Sequence, residues 1–240
     1  MNLDRKHMTA AEAEAAHIDV GLRNYMLGVY NHMTIGLALT GFIALGTNIL
    51  AMSSPAFAQL IFASPLKWVI MLAPLGMVFF LAARIRSMSA SAARTTFYIY
   101  AGAMGLSLAS IFLVFTGESI VRVFFITAAS FAGLSLYGYT TKRSLSGMGS
   151  FLFMGVIGLV IASVVNIFLA STGLQFLISA AGVLIFAGLT AYDTQNIKNM
   201  YMESDGHEVA TKKSIMGALQ LYLDFINMFM FLLQLFGNRE

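Results

Sequence analysis

"GLTAYDTQNIKNMY", residues 188–201, closes a long apolar run and puts an aspartate, Asp193, where hydrocarbon-facing residues are expected. A little further on, "LYLDFINMFMFLLQLFG", residues 221–237, does the same with Asp224. Asp224 lies about ten residues into an apolar stretch of about 22, roughly 15 Å along a helix rising ~1.5 Å per residue. A carboxylate near a bilayer centre costs a few kcal/mol even on lenient insertion scales, so such a residue must be neutral, paired or facing water. Asn227, three residues on, extends a polar stripe along the same face.

The rest of the chain is built like these stretches. Of its 240 residues, 58% are hydrophobic and only 10% charged, and the mean hydropathy is +0.79. Soluble domains carry roughly 25% charged residues. Apolar runs of about 20 residues recur, and each can cross ~30 Å of hydrocarbon as a helix. In lipid the backbone must satisfy itself, which leaves helices or a closed barrel. The runs lack the two-residue alternation of barrel strands. The reading is an all-α integral membrane protein whose first partner is the lipid bilayer. With no cysteine, disulfides and thiolate metal sites are excluded. The net charge of +3 is small and scattered, so no nucleic-acid partner is expected.

Seven transmembrane helices are predicted, at about 29–50, 68–86, 95–116, 119–139, 150–170, 174–198 and 213–236. "SSPAFAQLIFASP", "TGES", "KRSLSGMGS", "STG" and "YMESDGHEVATKK" supply breaks between them. Residues 1–28 form a cytoplasmic N-terminal segment, with no apolar core of a cleavable signal peptide. Its residues 9–30 read as a short helix in water or at the membrane surface, and residues 29–240 are one transmembrane domain. Basic residues set the orientation. With the N-terminus in the cytoplasm, the inner segments hold Arg5, Lys6, Arg23, Arg84, Arg86, Arg94, Lys142, Arg143, Lys198, Lys212 and Lys213. The outer ends hold Lys67, Arg122 and Arg239, so the bias is eleven to three and the C-terminus lies outside.

Asp193 falls four to six residues from the end of the sixth span, among Thr190, Thr194, Gln195 and Asn196. The last two spans run antiparallel across a loop of about fifteen residues, which brings the two aspartates within one or two helical turns of the same depth. Two carboxylates facing each other in low dielectric cannot both stay ionised without cost. Such a pair titrates as a unit. A shared proton holds the helices together, and its loss drives them apart or admits a cation. Arg84, at the end of the second span, is a candidate to stabilise an ionised Asp193.

The two opening stretches and "LSLYGYTTKRSLSGMGSFLFMGVIGLV", residues 134–160, resemble the Bax inhibitor-1 family in its bacterial branch. The resemblance covers essentially everything after residue 28. It implies a seven-helix fold with the last helix surrounded by the other six. It also implies a pH-sensitive calcium leak channel of the bacterial cytoplasmic (inner) membrane, gated by an aspartate pair on helices six and seven. Asp193 and Asp224 match those positions. The resemblance further implies a second-helix arginine that latches the first aspartate when the pore is closed, and Arg84 or Arg86 in "FFLAARIR" fits that role. Thr190, Thr194 and Asn227 are candidate polar support. Calcium takes several hard oxygen ligands. Asp193 and Asp224, with water or the Asn227 amide, would offer a weak, transient site of the sort a permeant ion can leave. No cofactor is expected.

Two other classes compete. A non-conducting regulator would bind another membrane protein, and sixteen methionines and twenty phenylalanines suit adaptable helix contacts. An intramembrane aspartyl protease also places Tyr-Asp on one helix and Asp on the next. Its second motif is Gly-x-Gly-Asp, however, and here Leu221, Tyr222 and Leu223 precede Asp224. No enzyme is expected.

Overall fold

The computed structural model describes the backbone of residues 10–239 and the side chains of residues 20–239. Helices account for every extended element among these residues; no strand is present among them. In chain order they are α1 (Ala10–Ser53), α2 (Pro55–Ala58), α3 (Leu66–Arg84), α4 (Ala90–Leu108), α5 (Gly117–Thr140), α6 (Ser146–Leu169), α7 (Thr172–Asn199) and α8 (His207–Phe236). All but α2 are long and apolar enough to cross a membrane, giving the seven expected spans, and the chain is an integral membrane protein.

The differences from expectation lie at the ends of the elements. The boundary set at residue 28 falls inside α1, an unbroken helix of 44 residues. Its first turns are rich in alanine, the strongest helix former, and no proline interrupts the chain before Pro55. The part of the predicted N-terminal segment within residues 1–9 lies outside the described residues. The segment at 52–65 is more ordered than a loop. Ser54 caps α2 by accepting from the Phe57 amide at 3.4 Å, with Pro55 at the first helical position, and a π-helical turn follows over Gln59–Ala63.

The largest difference precedes the last span. Residues 201–213 read in the sequence as a break between spans, yet α8 begins at His207. Glu208 sits in its first turn, where a carboxylate complements the helix dipole. Lys212 lies 3.6 Å from Glu208, and Lys213 bonds Asp205 at 2.6 Å. Charged side chains at this end of the membrane are carried by helix, and the connection shrinks to residues 200–206.

Helix α8 is the centre. In its most apolar stretch 67% of residues are buried, against 11% in α3 and in α6. Helices α1, α4, α5 and α7 pack directly on it, while α3 rests on α4 and α6 on α7. The other outward faces carry the exposed apolar side chains, such as Phe79, Phe151, Phe168 and Leu184, that a lipid-facing surface requires. Close backbone approach drives the inner packing, as small residues do in membrane bundles. Any Cβ at Gly138 of α5 would overlap the Ala191 carbonyl of α7. The register of α7 against α5, and with it the placement of Asp193, depends on that glycine.

Candidate functional site

Helix α8 is held against its neighbours by aromatic side chains and a few buried hydroxyls. Tyr222 donates to or accepts from Thr40 of α1 at 2.7 Å, and Thr40 also donates to the Ala101 carbonyl of α4 at 2.8 Å. The Tyr222 ring stands edge-on to Phe97 and Tyr100 of α4. Two residues on, the chain turns Asp224 to the opposite side of α8, toward α7. The bulky neighbours that separate this helix from a protease motif therefore fix the rotation that aims Asp224.

Asp193 and Asp224 meet within hydrogen-bonding reach, and both are buried, at 5% and 4% exposure. Two carboxyls can bond each other only if one of them carries a proton. Asp224 Oδ2 is buried and accepts from no donor group among the described residues. Gln220, one turn before Asp224, reaches Asp193 as well. The sequence reading passed over Gln220, although its position four residues before Asp224 puts it on the same helical face.

The pair lines a cavity of about 550 Å³ between α6, α7 and α8. Gly149, Ser150, Tyr192, Gln220 and Asn227 also face it, with Phe186 and Leu189. No lysine, arginine or histidine lines it, so the two aspartates and the Tyr192 phenol are its titratable groups. Asn227 thus shares the cavity, although its amide donates to the Leu223 carbonyl of its own helix at 2.8 Å.

Thr190 and Thr194 do something different from supporting the carboxyls. Thr190 donates to the Phe186 carbonyl at 2.8 Å and Thr194 to the Thr190 carbonyl at 2.7 Å. Thr194 also bonds Ser135 of α5 at 3.0 Å, and Ser135 bonds Tyr30 of α1 at 2.7 Å. This hydroxyl chain ties three helices together beside the pair. Gln195 ties the end of α7 to the α5–α6 connection through the Arg143 carbonyl at 2.9 Å, and Lys198 ties it to the last turn of α5 through the Tyr139 carbonyl at 2.8 Å.

Arg84 and Arg86 stand apart from the pair. Both are exposed at the end of α3, which rests on α4, and neither forms an ion pair among the described residues. The Arg86 carbonyl accepts from Lys212 of α8 at 3.4 Å. No group of three His, Cys, Asp or Glu side chains is assembled among the described residues. A calcium ion in the cavity would find two carboxylates, the Gln220 and Asn227 amides and water, a donor set suited to brief residence rather than storage.

Comparison with known proteins places this architecture. The family model described as inhibitor of apoptosis-promoting Bax1 matches residues 22–240. The inner membrane protein YbhL of Escherichia coli (strain K12) is 47% identical over 223 residues, covering 92% of this chain and 94% of the relative. Protein RP147 of Rickettsia prowazekii (strain Madrid E) is 47% identical over 222 residues, covering 92% of each chain. The membrane protein SpyM3_0260 of Streptococcus pyogenes serotype M3 is 32% identical over 222 residues, covering 92% of this chain and 96% of the relative.

Proposed function

Because this chain belongs to the Bax inhibitor-1 family of membrane proteins, we propose that it is a pH-sensitive calcium leak channel of the bacterial inner membrane, gated by Asp193 and Asp224. The observation that supports this reading most is the buried contact between the two carboxyls at the wall of an open cavity between α6, α7 and α8.

A protonated pair joins α7 to α8. Removing the shared proton leaves two anions in contact, with no basic side chain lining the cavity to offset them. The helices then separate or a cation enters between them, and calcium is favoured by its charge and its preference for oxygen. Flux therefore rises as pH rises. Neither Arg84 nor Arg86 lines the cavity that holds the pair, so the reading rests on the aspartates and not on an arginine latch.

The experiment is calcium flux into proteoliposomes between pH 6 and 8, comparing the native chain with Asp193→Asn and Asp224→Asn. The expected result is a leak that increases with pH in the native chain and loses that dependence in both variants. Flux that is absent, or equal in all three proteins, sinks the channel reading and favours a protein that acts by binding another membrane protein.

A further inference from the structure

The α7–α8 interface is a seam that runs well beyond the carboxylate pair. On α7, Gln175, Ser179, Gly182, Phe186, Leu189 and Asp193 recur at steps of four and three; on α8, Gln220, Asp224, Asn227, Phe231 and Gln234 do the same. Such steps place each set on one helical face. The two faces meet at three levels. Asp193 meets Asp224, Phe186 stacks on Phe231 with ring centroids 5.9 Å apart, and Gln175 and Ser179 bond the Gln234 side-chain oxygen at 2.6 and 2.9 Å.

Polar groups thus lie at both ends of the seam. Beyond the Phe186–Phe231 level, a second cavity of about 370 Å³ is lined by Asn166, Ser171, Gln175, Ser179, Gln234 and Arg239. Asn166 donates to Gln175 at 3.2 Å, and the Arg239 guanidinium lies over the Phe115 ring at 5.9 Å. From Gln175 to Asp193 the seam covers about 27 Å at ~1.5 Å per residue, close to the full hydrocarbon thickness. The apolar interruption, from Asn227 to Gln234, is only about 10 Å.

Gly182 makes that interruption tight. An added Cβ would lie 2.5 Å from Phe231 Cδ2, so the ring presses on the bare backbone of α7. Phe186 lines the carboxylate cavity, so it forms the floor on that side. Phe231 itself is only half-buried, which leaves its ring room to turn outward.

The geometry points to Phe231, seated on Gly182 and stacked on Phe186, as the apolar seal of a water path that joins the carboxylate cavity to the amide-lined cavity. Apolar constrictions of this kind gate by excluding water. The inference rests on the channel reading for its purpose, but the seal is testable without ion flux.

The native chain has no cysteine, so single variants report cleanly. Asn227→Cys and Gln234→Cys are exposed, in sealed vesicles of known orientation, to a charged, membrane-impermeant methanethiosulfonate. At pH 6, where the carboxyl pair keeps its shared proton, and with Phe231 intact, Gln234→Cys reacts from the face at which α7 begins and Asn227→Cys does not. Adding Phe231→Ser, or Gly182→Ala to displace the ring, raises the rate at Asn227→Cys from that face at least ten-fold; Phe231→Leu leaves it low. Asn227→Cys reacting from that face at pH 6 with Phe231 intact overturns the seal. So does Gln234→Cys failing to react there, or no change on opening either seal position. Calcium flux in the same vesicles separates the two ideas: labelling that opens without any calcium leak keeps the seal and removes the calcium channel.

Discussion

Asp224 faces Asp193 across the α7–α8 seam, with both carboxyls buried. Removing one partner of a buried hydrogen bond costs about 1–3 kcal/mol, because the survivor keeps polar atoms that nothing satisfies. Replacing both partners by apolar groups of similar shape can be nearly neutral. Asp224→Leu alone is therefore expected to lower stability by about 2 kcal/mol, and Asp193→Leu with Asp224→Leu together to cost less than either single change. Thermal unfolding of the four proteins in one detergent gives the coupling directly. Additive losses would show that the two carboxyls do not act as a pair.

Gly138 tests whether that pair depends on helix packing at a distance. Its Cα face touches the Ala191 carbonyl, two residues before Asp193. Gly138→Leu forces α5 from α7, and overpacking of this kind costs about 1–3 kcal/mol or more. It also moves the Thr194–Ser135–Tyr30 hydroxyl chain, bonded at 3.0 and 2.7 Å. The expected outcome is a lower melting temperature together with altered pH dependence of flux. A variant as stable as the native chain would show that the close approach carries no packing energy.

Much of this site is legible in the sequence, for a physical reason. Aspartates inside apolar runs are expensive enough that Asp193 and Asp224 stand out without a structure, and an antiparallel pair of spans brings them near each other. Asn227 follows from helical spacing, and Gln220 could have followed from the same rule applied backward. The seal is harder to read, because Phe186 and Phe231 are ordinary lipid-compatible residues until Gly182 is seen beneath one of them. The start of α8 was hidden because charge suggests a loop, while Glu208 and Lys212 on one helical turn satisfy it within a helix. The rest position of α3 depends on long-range packing that no local pattern encodes.

Ala170 ends α6 with φ 48° and ψ 34°, the one positive-φ residue other than glycine among those described. An L side chain in that region costs about 1 kcal/mol that glycine avoids. The amide of Ala170 donates to the Asn166 carbonyl at 2.8 Å, and Ser171 then caps α7 by accepting from the Leu174 amide at 3.2 Å. Ala170→Gly keeps both bonds and relieves the strain, so the melting temperature is expected to rise by a few degrees. A fall would mean that the turn is held in this conformation at no cost.

The last prediction concerns sidedness. The chain beyond α8 returns to the α4–α5 connection: the Thr116 amide donates to the Asn238 carbonyl at 3.0 Å, and the Asn238 amide donates to Ser119 Oγ at 2.9 Å. This is also the end of the bundle that carries Lys67 and Arg122, the poorly charged side of the eleven-to-three division of basic residues. The opposite end gathers Arg84, Arg86, Arg143, Lys198, Lys212 and Lys213, several of them bonded to backbone carbonyls. Positive residues are retained on the cytoplasmic side during insertion, so the C-terminus is expected outside. A phosphatase that folds only after export, fused after Glu240, is expected to be active, and a fluorescent protein that matures only in the cytoplasm, fused at the same point, to be dark. The reverse pattern would invert the bundle, and the amide-lined cavity rather than the carboxylate pair would then face the external medium's opposite side, the cytoplasm.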